Sequence, residues 1–427
     1  MFRFAPMDCL FTSAGLPLFL LDIVLDVWAA VDLYQERAYL CLGVLLVLLI
    51  GSSVLAQLYS WLWYKYDKFE VHTKVEDKAK TWLGTLHLFQ LGIYIRKRSD
   101  QDSGSRRWWR TYGEDMGVFL NHDLSMLRLF ETFSESAPQI VLMLSIIMRT
   151  GNRTLTVSCR LSSSSVLKML GSLSAVAFCV TTHHRCLRSF LPDKKNQKPV
   201  SSIVYFLWNL LLLSSRIVAL ALFASVEPCF IFTHFFCSWL VLFFFAWRSN
   251  TTFMETPAGE WLYRATLGLI WYFNWFNAVD GKTRNQSVAY HACMLLDVSV
   301  LCGVWYWRMS SDPPHHELSC LQAAIIAGAV VAVYVLGLVC RIIYYLFFHP
   351  EVYKQDLTGN EPHADQVDFG PGAPVQNGGV AFRSLQSGPS QPAPCNKRMK
   401  KLAENFYSRS RCINTHAVSF TYRTKIA

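Results

Sequence analysis

Eight stretches of this chain are each long and apolar enough to cross a lipid bilayer, and no fold in water could hide all of them. A spanning helix needs about 20 mainly apolar residues, and such runs lie near 8–33, 38–64, 119–149, 164–190, 201–226, 229–248, 287–308 and 319–348. Only 16% of the 427 residues are charged while 52% are hydrophobic, too little charge to cover a soluble globule of this length. Hydrocarbon offers backbone N–H and C=O groups no partner, so each run must satisfy its own and is expected to be helical. Two further apolar segments, 81–95 and 260–279, are short or interrupted and carry basic residues on both flanks. That pattern predicts a dip into one leaflet and a return. The expected fold is thus an all-α polytopic membrane protein with eight transmembrane helices and two re-entrant half-membrane helices. The order span, span, dip, span occurs over 8–149 and again over 201–308, which points to two pseudo-repeats with a functional site between them.

An even number of crossings puts both termini on one side. Twenty Lys and Arg residues of the loops, from Lys65 to Arg284, collect on one face, against Arg37, Arg149, Arg153, Arg160 and Arg308 on the other. By the positive-inside rule the first face, and both termini, are cytoplasmic. The opening residues lack a basic segment ahead of the first apolar run, so no cleavable signal peptide is expected. The net charge of +10 sits beside apolar segments. Anionic lipid, not nucleic acid, is therefore its expected partner.

Residues 1–348 read as the membrane domain. From 349 to 395 the chain is rich in Pro, Gly, Ser and Gln, a composition that cannot build a core and reads as a disordered cytosolic linker. Residues 396–427 read as a cytosolic regulatory tail. Within it Met399, Leu402, Ala403 and Phe406 recur at i, i+3, i+4 and i+7, so a short C-terminal amphipathic helix is predicted. The linker contains Asp365-Gln366-Val367-Asp368, which fits the DxxD pattern of executioner (caspase-3-type) proteases, with Phe369 where those enzymes favour a small residue. Cutting after Asp368 would release the tail, so the tail reads as a removable plug.

The residues most in need of explanation are ionisable groups at lipid depth, each of which costs several kcal/mol unless paired or wetted (on the order of 3, by insertion scales). Asp22 and Asp26 share one face of the first span, with Asp8 near its start; Glu131 and Glu135 share a face of the third, and Pro138 should kink that helix just beyond them. Asp297 lies in the seventh span, and Arg128, Arg185 and Arg216 bring the opposite sign. Carboxylates outnumber guanidinium groups, whereas a purely structural lattice would match them closely. The surplus reads as a partly hydrated polar track suited to zwitterionic headgroups, which could slide along it with their acyl chains still in the bilayer. No P-loop, GxSxG or HExxH occurs, so neither an energy source, an enzyme nor a cofactor is expected. Most of the 13 cysteines lie in apolar runs, and His183-His184 and His315-His316 read as interfacial polar pairs and not as metal ligands. A channel or small-solute transporter using the same track, or a non-catalytic partner subunit, are the alternatives.

The segments LLDIVLDVWAAVDLY, SMLRLFETFSESAPQI, VYFLWNLLLLSSRIVALALF and EWLYRATLGLIWYFNWFNAVDGKTR, with DQVD and NKRMKKLAENFY in the tail, resemble the XK-related family. The resemblance implies a plasma-membrane phospholipid scramblase, multi-pass and with cytoplasmic termini, that exposes phosphatidylserine in apoptotic cells once caspases remove the tail. It implies movement of phosphatidylserine and phosphatidylcholine along a charged path of Asp8, Asp22, Asp26, Glu131, Glu135, Arg185, Arg216 and Asp297. It also implies a single-span chaperone subunit, basigin or neuroplastin. Cys41 stands where the family pattern has a tryptophan at the outer mouth of the path, and Arg149 where it has a glutamine, so no aromatic gate is expected at Cys41.

Overall fold

The computed structural model describes residues 23–24, 26–66, 114–150, 158–190, 197–249, 251, 253–277, 284–311 and 319–349. Every regular element among them is helical. We label these α1 (26–35), α2 (Tyr39–Tyr66), α3 (Glu114–Ser134), α4 (Ser136–Thr150), α5 (Ser158–Phe190), α6 (Pro199–Val226), α7 (Phe230–Arg248), α8 (Pro257–Phe273), α9 (Arg284–Ser311) and α10 (Cys320–Ile343), which ends in a π turn, Tyr344–Phe348. Among the described residues, five helices are long and apolar enough to cross a membrane: α2, α6, α7, α9 and α10 with its π turn. At 1.5 Å per residue the 28 residues of α6 reach about 42 Å, more than the roughly 30 Å of bilayer hydrocarbon. The expected segments 119–149 and 164–190 are helical too, but Asp123, Arg128, Glu131, His183, His184, Arg185 and Arg188 dilute their apolarity. Segment 81–95, Asp8, Asp22, Asp365, Asp368 and the tail helix through Met399, Leu402 and Phe406 lie outside the described residues.

Helix α6 is the axis. It packs against α4, α5, α9 and α10, and unlike its neighbours it is buried around most of its girth. Its Ser215 hydroxyl donates to the Val330 carbonyl of α10 at 2.8 Å. The two backbones approach closely beside it: a Cβ on Gly337 would meet Leu212 Cδ2 at 2.8 Å. Such contacts through small residues are what hold helices together where water supplies no hydrophobic drive. Helix α7 is the opposite case, with Phe232, Phe236, Leu240, Phe244 and Phe245 all exposed, and it leans on the bundle mainly through α8.

The short α8 is interior. Thr256 caps its first turn by accepting from Gly259 N at 3.2 Å, Pro257 follows at the first helical position, and Glu260 accepts from Met254 N at 2.6 Å. Its 17 residues, about 26 Å, run antiparallel to α7 from the Trp247–Trp261 contact to the Phe235–Tyr272 contact. Gly268 lets it touch the α7 backbone, since a Cβ there would lie 3.1 Å from Phe243 N. After Phe273 the chain becomes extended. Asn274 Nδ2 donates to Asn209 Oδ1 at 2.9 Å, Trp271 Nε1 donates to the Phe276 carbonyl at 2.7 Å, and Phe276 lies against His183.

The third expected span is two helices, because Glu135 interrupts it between Ser134 and Ser136. Pro138 has no N–H to give the Ser134 carbonyl, so the disturbance falls one turn before the proline and at the glutamate itself, not just beyond the acidic pair. Between α1 and α2 the chain turns through Arg37 at φ 57°, with Ala38 N bonded to Leu33 O at 3.0 Å and Arg37 N to Tyr34 O at 3.1 Å. That is a Schellman closure, with an arginine where glycine is usual.

Candidate functional site

The expected charged residues fall into three groups. In the first, α1, α2 and the α3–α4 break converge. Gln139 Nε2 donates to Asp26 Oδ1 at 2.8 Å, and the Ser52 hydroxyl of α2 donates to Glu135 Oε2. Asp26 and Glu135 are both buried and also lie within hydrogen-bonding reach of each other. Glu131, one turn before Glu135, has Arg128 Nη1 3.7 Å from its Oε2, and that oxygen is buried without a hydrogen-bond donor among the described residues. Three acids thus lie together, an amide and a hydroxyl bonded to two of them and Arg128 beside the third.

The second group joins α6, α7, α8 and α9. Arg216, only 1% exposed, donates from Nη1 to Asp297 Oδ2 and from Nε to the Tyr272 carbonyl at 3.1 Å, with its guanidinium 5.0 Å from the Tyr272 ring centre. Asp297 uses its other oxygen on His234 Nε2 at 3.1 Å, and His234 Nδ1 lies 3.0 Å from the Tyr272 hydroxyl. A carboxylate only accepts, so Nε2 carries the proton in that bond. Asp297 is half-buried, and Arg216 Nη2 is buried with no acceptor among the described residues. Asp297 is thus held by an arginine and a histidine, and one buried arginine donor beside it is left unsatisfied among the described residues.

The third group surrounds Arg185 near the end of α5. Its Nη1 donates to the Gln197 carbonyl at 3.2 Å and to Ser202 Oγ at 2.5 Å; Gln197 Nε2 in turn donates to the Tyr344 hydroxyl at 2.8 Å. His183 and His184, expected at an interface, are instead packed between helices. His183 is buried with Nδ1 3.3 Å from Ser125 Oγ, and the ring of His184 stacks on Tyr205 at 4.2 Å. Histidine next to arginine at a helix end resembled a headgroup-level pair, but α5 turns this face toward α3 and α6.

Of the eight expected path residues, the structure brings together Asp26, Glu131 and Glu135, and separately Arg216 and Asp297. Arg185 stands apart. Asp8 and Asp22 lie outside the described residues. Sequence reasoning missed Ser52, Gln139, His234 and Tyr272, which bond to the acids and to Arg216.

A family model described as XK-related protein matches residues 10–350. XK-related protein 8 of Tetraodon nigroviridis is 39% identical over 425 residues, covering 95% of this chain and 98% of its own length. The XK-related protein 8 of Pan troglodytes is 35% identical over 408 residues, with 95% of each chain covered. XK-related protein 9 of Tetraodon nigroviridis is 29% identical over 384 residues, covering 86% of this chain and 95% of the relative. With a family match over most of its length and relatives of this identity along nearly all of it, the chain belongs to the XK-related family.

Proposed function

We propose that this protein is a phospholipid scramblase of the plasma membrane, needing no energy source and activated when a caspase-3-type protease cuts after Asp368, so that phosphatidylserine reaches the cell surface in apoptosis. The topology that goes with this reading is eight crossings plus two re-entrant segments, 81–95 and 260–279, with both termini cytoplasmic and basigin or neuroplastin as a single-span chaperone subunit. The observation that carries it is the acid-rich pocket of Asp26, Glu131 and Glu135, held in a bundle whose outer surface is apolar. Acids at that depth must be wetted or matched, and here Asp26 and Glu135 accept from an amide and a hydroxyl while Glu131 lies 3.7 Å from Arg128. Arg216 Nη2 and Glu131 Oε2 are buried without hydrogen-bond partners among the described residues, a donor and an acceptor that a headgroup entering the bundle would meet. In the proposed orientation Arg185 lies about 8 Å from the inner end of α5 and Asp297 about 20 Å along α9, so charges are distributed over the depth of the bilayer.

The test is lipid exchange in proteoliposomes holding fluorescent lipid and an impermeant quencher. Protein cut after Asp368 should let the quencher reach inner-leaflet lipid, while uncut protein and the Asp368→Ala variant treated with the same protease should not. Ion or solute flux by the cut protein without lipid exchange would refute the proposal and favour a channel.

A further inference from the structure

We infer that Arg341, at the end of α10 from which residues 350–427 continue, is a binding site for a phosphate oxyanion, separate from the intramembrane acids. The side chain is half-buried, and no carboxylate among the described residues lies within ion-pair distance of it. Its one hydrogen bond to another side chain or carbonyl there runs from Nη2 to the Ser287 hydroxyl of α9. A guanidinium carries five N–H donors in a rigid fork, so most remain available.

Its position is fixed from the other side by aromatic rings. The guanidinium carbon lies 5.4 Å from the Trp208 ring centre and 5.7 Å from that of Tyr345, and the two rings are themselves 5.5 Å apart. Cation–π contact holds the charge without neutralising it, leaving the fork pre-organised for a planar pair of oxygens. Arg188 of α5 lies close enough to Tyr205, Tyr344 and Tyr345 to interact with them electrostatically, so a second positive charge faces the same ring cluster. Around Arg341 the surface is apolar: Ile342, Ile343, Leu346 and Phe347 are all exposed. A fixed unneutralised cation bordered by exposed aliphatic and aromatic side chains at a helix end suits a phosphate that carries acyl chains, bonded to the fork while the chains lie along α10. Free inorganic phosphate shares the headgroup's chemistry but would gain nothing from that apolar border. The site does not depend on lipid exchange and would stand if the scramblase reading failed.

Purified full-length protein in detergent is to be titrated with dioctanoyl-phosphatidylserine, with dioctanoylglycerol and with inorganic phosphate, following Tm and, by native mass spectrometry, retained lipid. The expected result is a saturable rise in Tm with the phosphatidylserine and none with the glycerol. In Arg341→Gln the half-saturating concentration should rise about tenfold, the loss of one charge-assisted pair. Arg341→Lys keeps the charge without the fork, and Tyr345→Leu removes an exposed ring that guides it; each should weaken binding by a smaller factor, and these two decide the matter if Arg341→Gln does not fold. A rise with inorganic phosphate as well would extend the site to free phosphate, and no rise would confine it to the lipid. Equal half-saturation in wild type, Arg341→Lys and Tyr345→Leu, or equal response to the headless glycerol, would overturn the inference.

Discussion

Arg216 and Asp297 are 81 residues apart in sequence and form one ion pair across α6 and α9. Removing one member of a buried pair is costlier than removing both, because the survivor keeps its desolvation without its partner. Arg216→Ala should therefore destabilise by about 3 kcal/mol, the low end of the usual range because Asp297 is half-buried. Arg216→Met with Asp297→Leu should recover most of that loss, and comparing the Tm of single and double variants checks it. Asp26→Asn is the contrasting case. Its amide oxygen still accepts from Gln139, so the fold should be retained within about 1 kcal/mol, while lipid exchange slows about tenfold with the charge gone. Unchanged exchange would remove Asp26 from the path. The acids themselves were legible in sequence, since a carboxylate in an apolar run is conspicuous and the Glu131–Glu135 spacing places both on one face. Ser52, Gln139, His234 and Tyr272 were not: neutral polar groups in a span raise no alarm, and their bonds cross 38 to 113 residues of sequence.

At the scale of elements, apolar length marked most of the helices and their ends to within a few residues. What it could not give was which helix lies inside, because α6 and α7 have equally apolar sequences while one is buried and the other exposed. Small residues allow close approach at both helices, Gly337 against α6 and Gly268 against α7. Gly268→Val would drive a branched side chain into the Phe243 backbone, where no rotamer change relieves it. The expected cost is about 1–3 kcal/mol, seen as a lowered Tm and as greater access of labelling reagents to the α7–α8 seam. Gly303→Ala meets nothing within 4 Å and should leave both readouts unchanged. The split of the third span was half legible: Pro138 announced a disturbance, but its site at Glu135 follows from which carbonyl loses its donor.

Across the molecule, the described buried acids differ in what bonds them. Asp297 sits in the Arg216–Asp297–His234–Tyr272 network and Glu131 and Glu260 each lie within 3.8 Å of an arginine on their own helix, whereas Asp26 and Glu135 accept from the Gln139 amide and the Ser52 hydroxyl. Pro138, three residues after Glu135, removes a backbone donor at this same place. An ordinary helix would answer the Ser134 oxygen with a backbone hydrogen, and an imino ring has none to offer. An oxygen in that position has only side chains, water or some other donor to turn to. Giving this helix back its missing hydrogen would make the bundle sturdier.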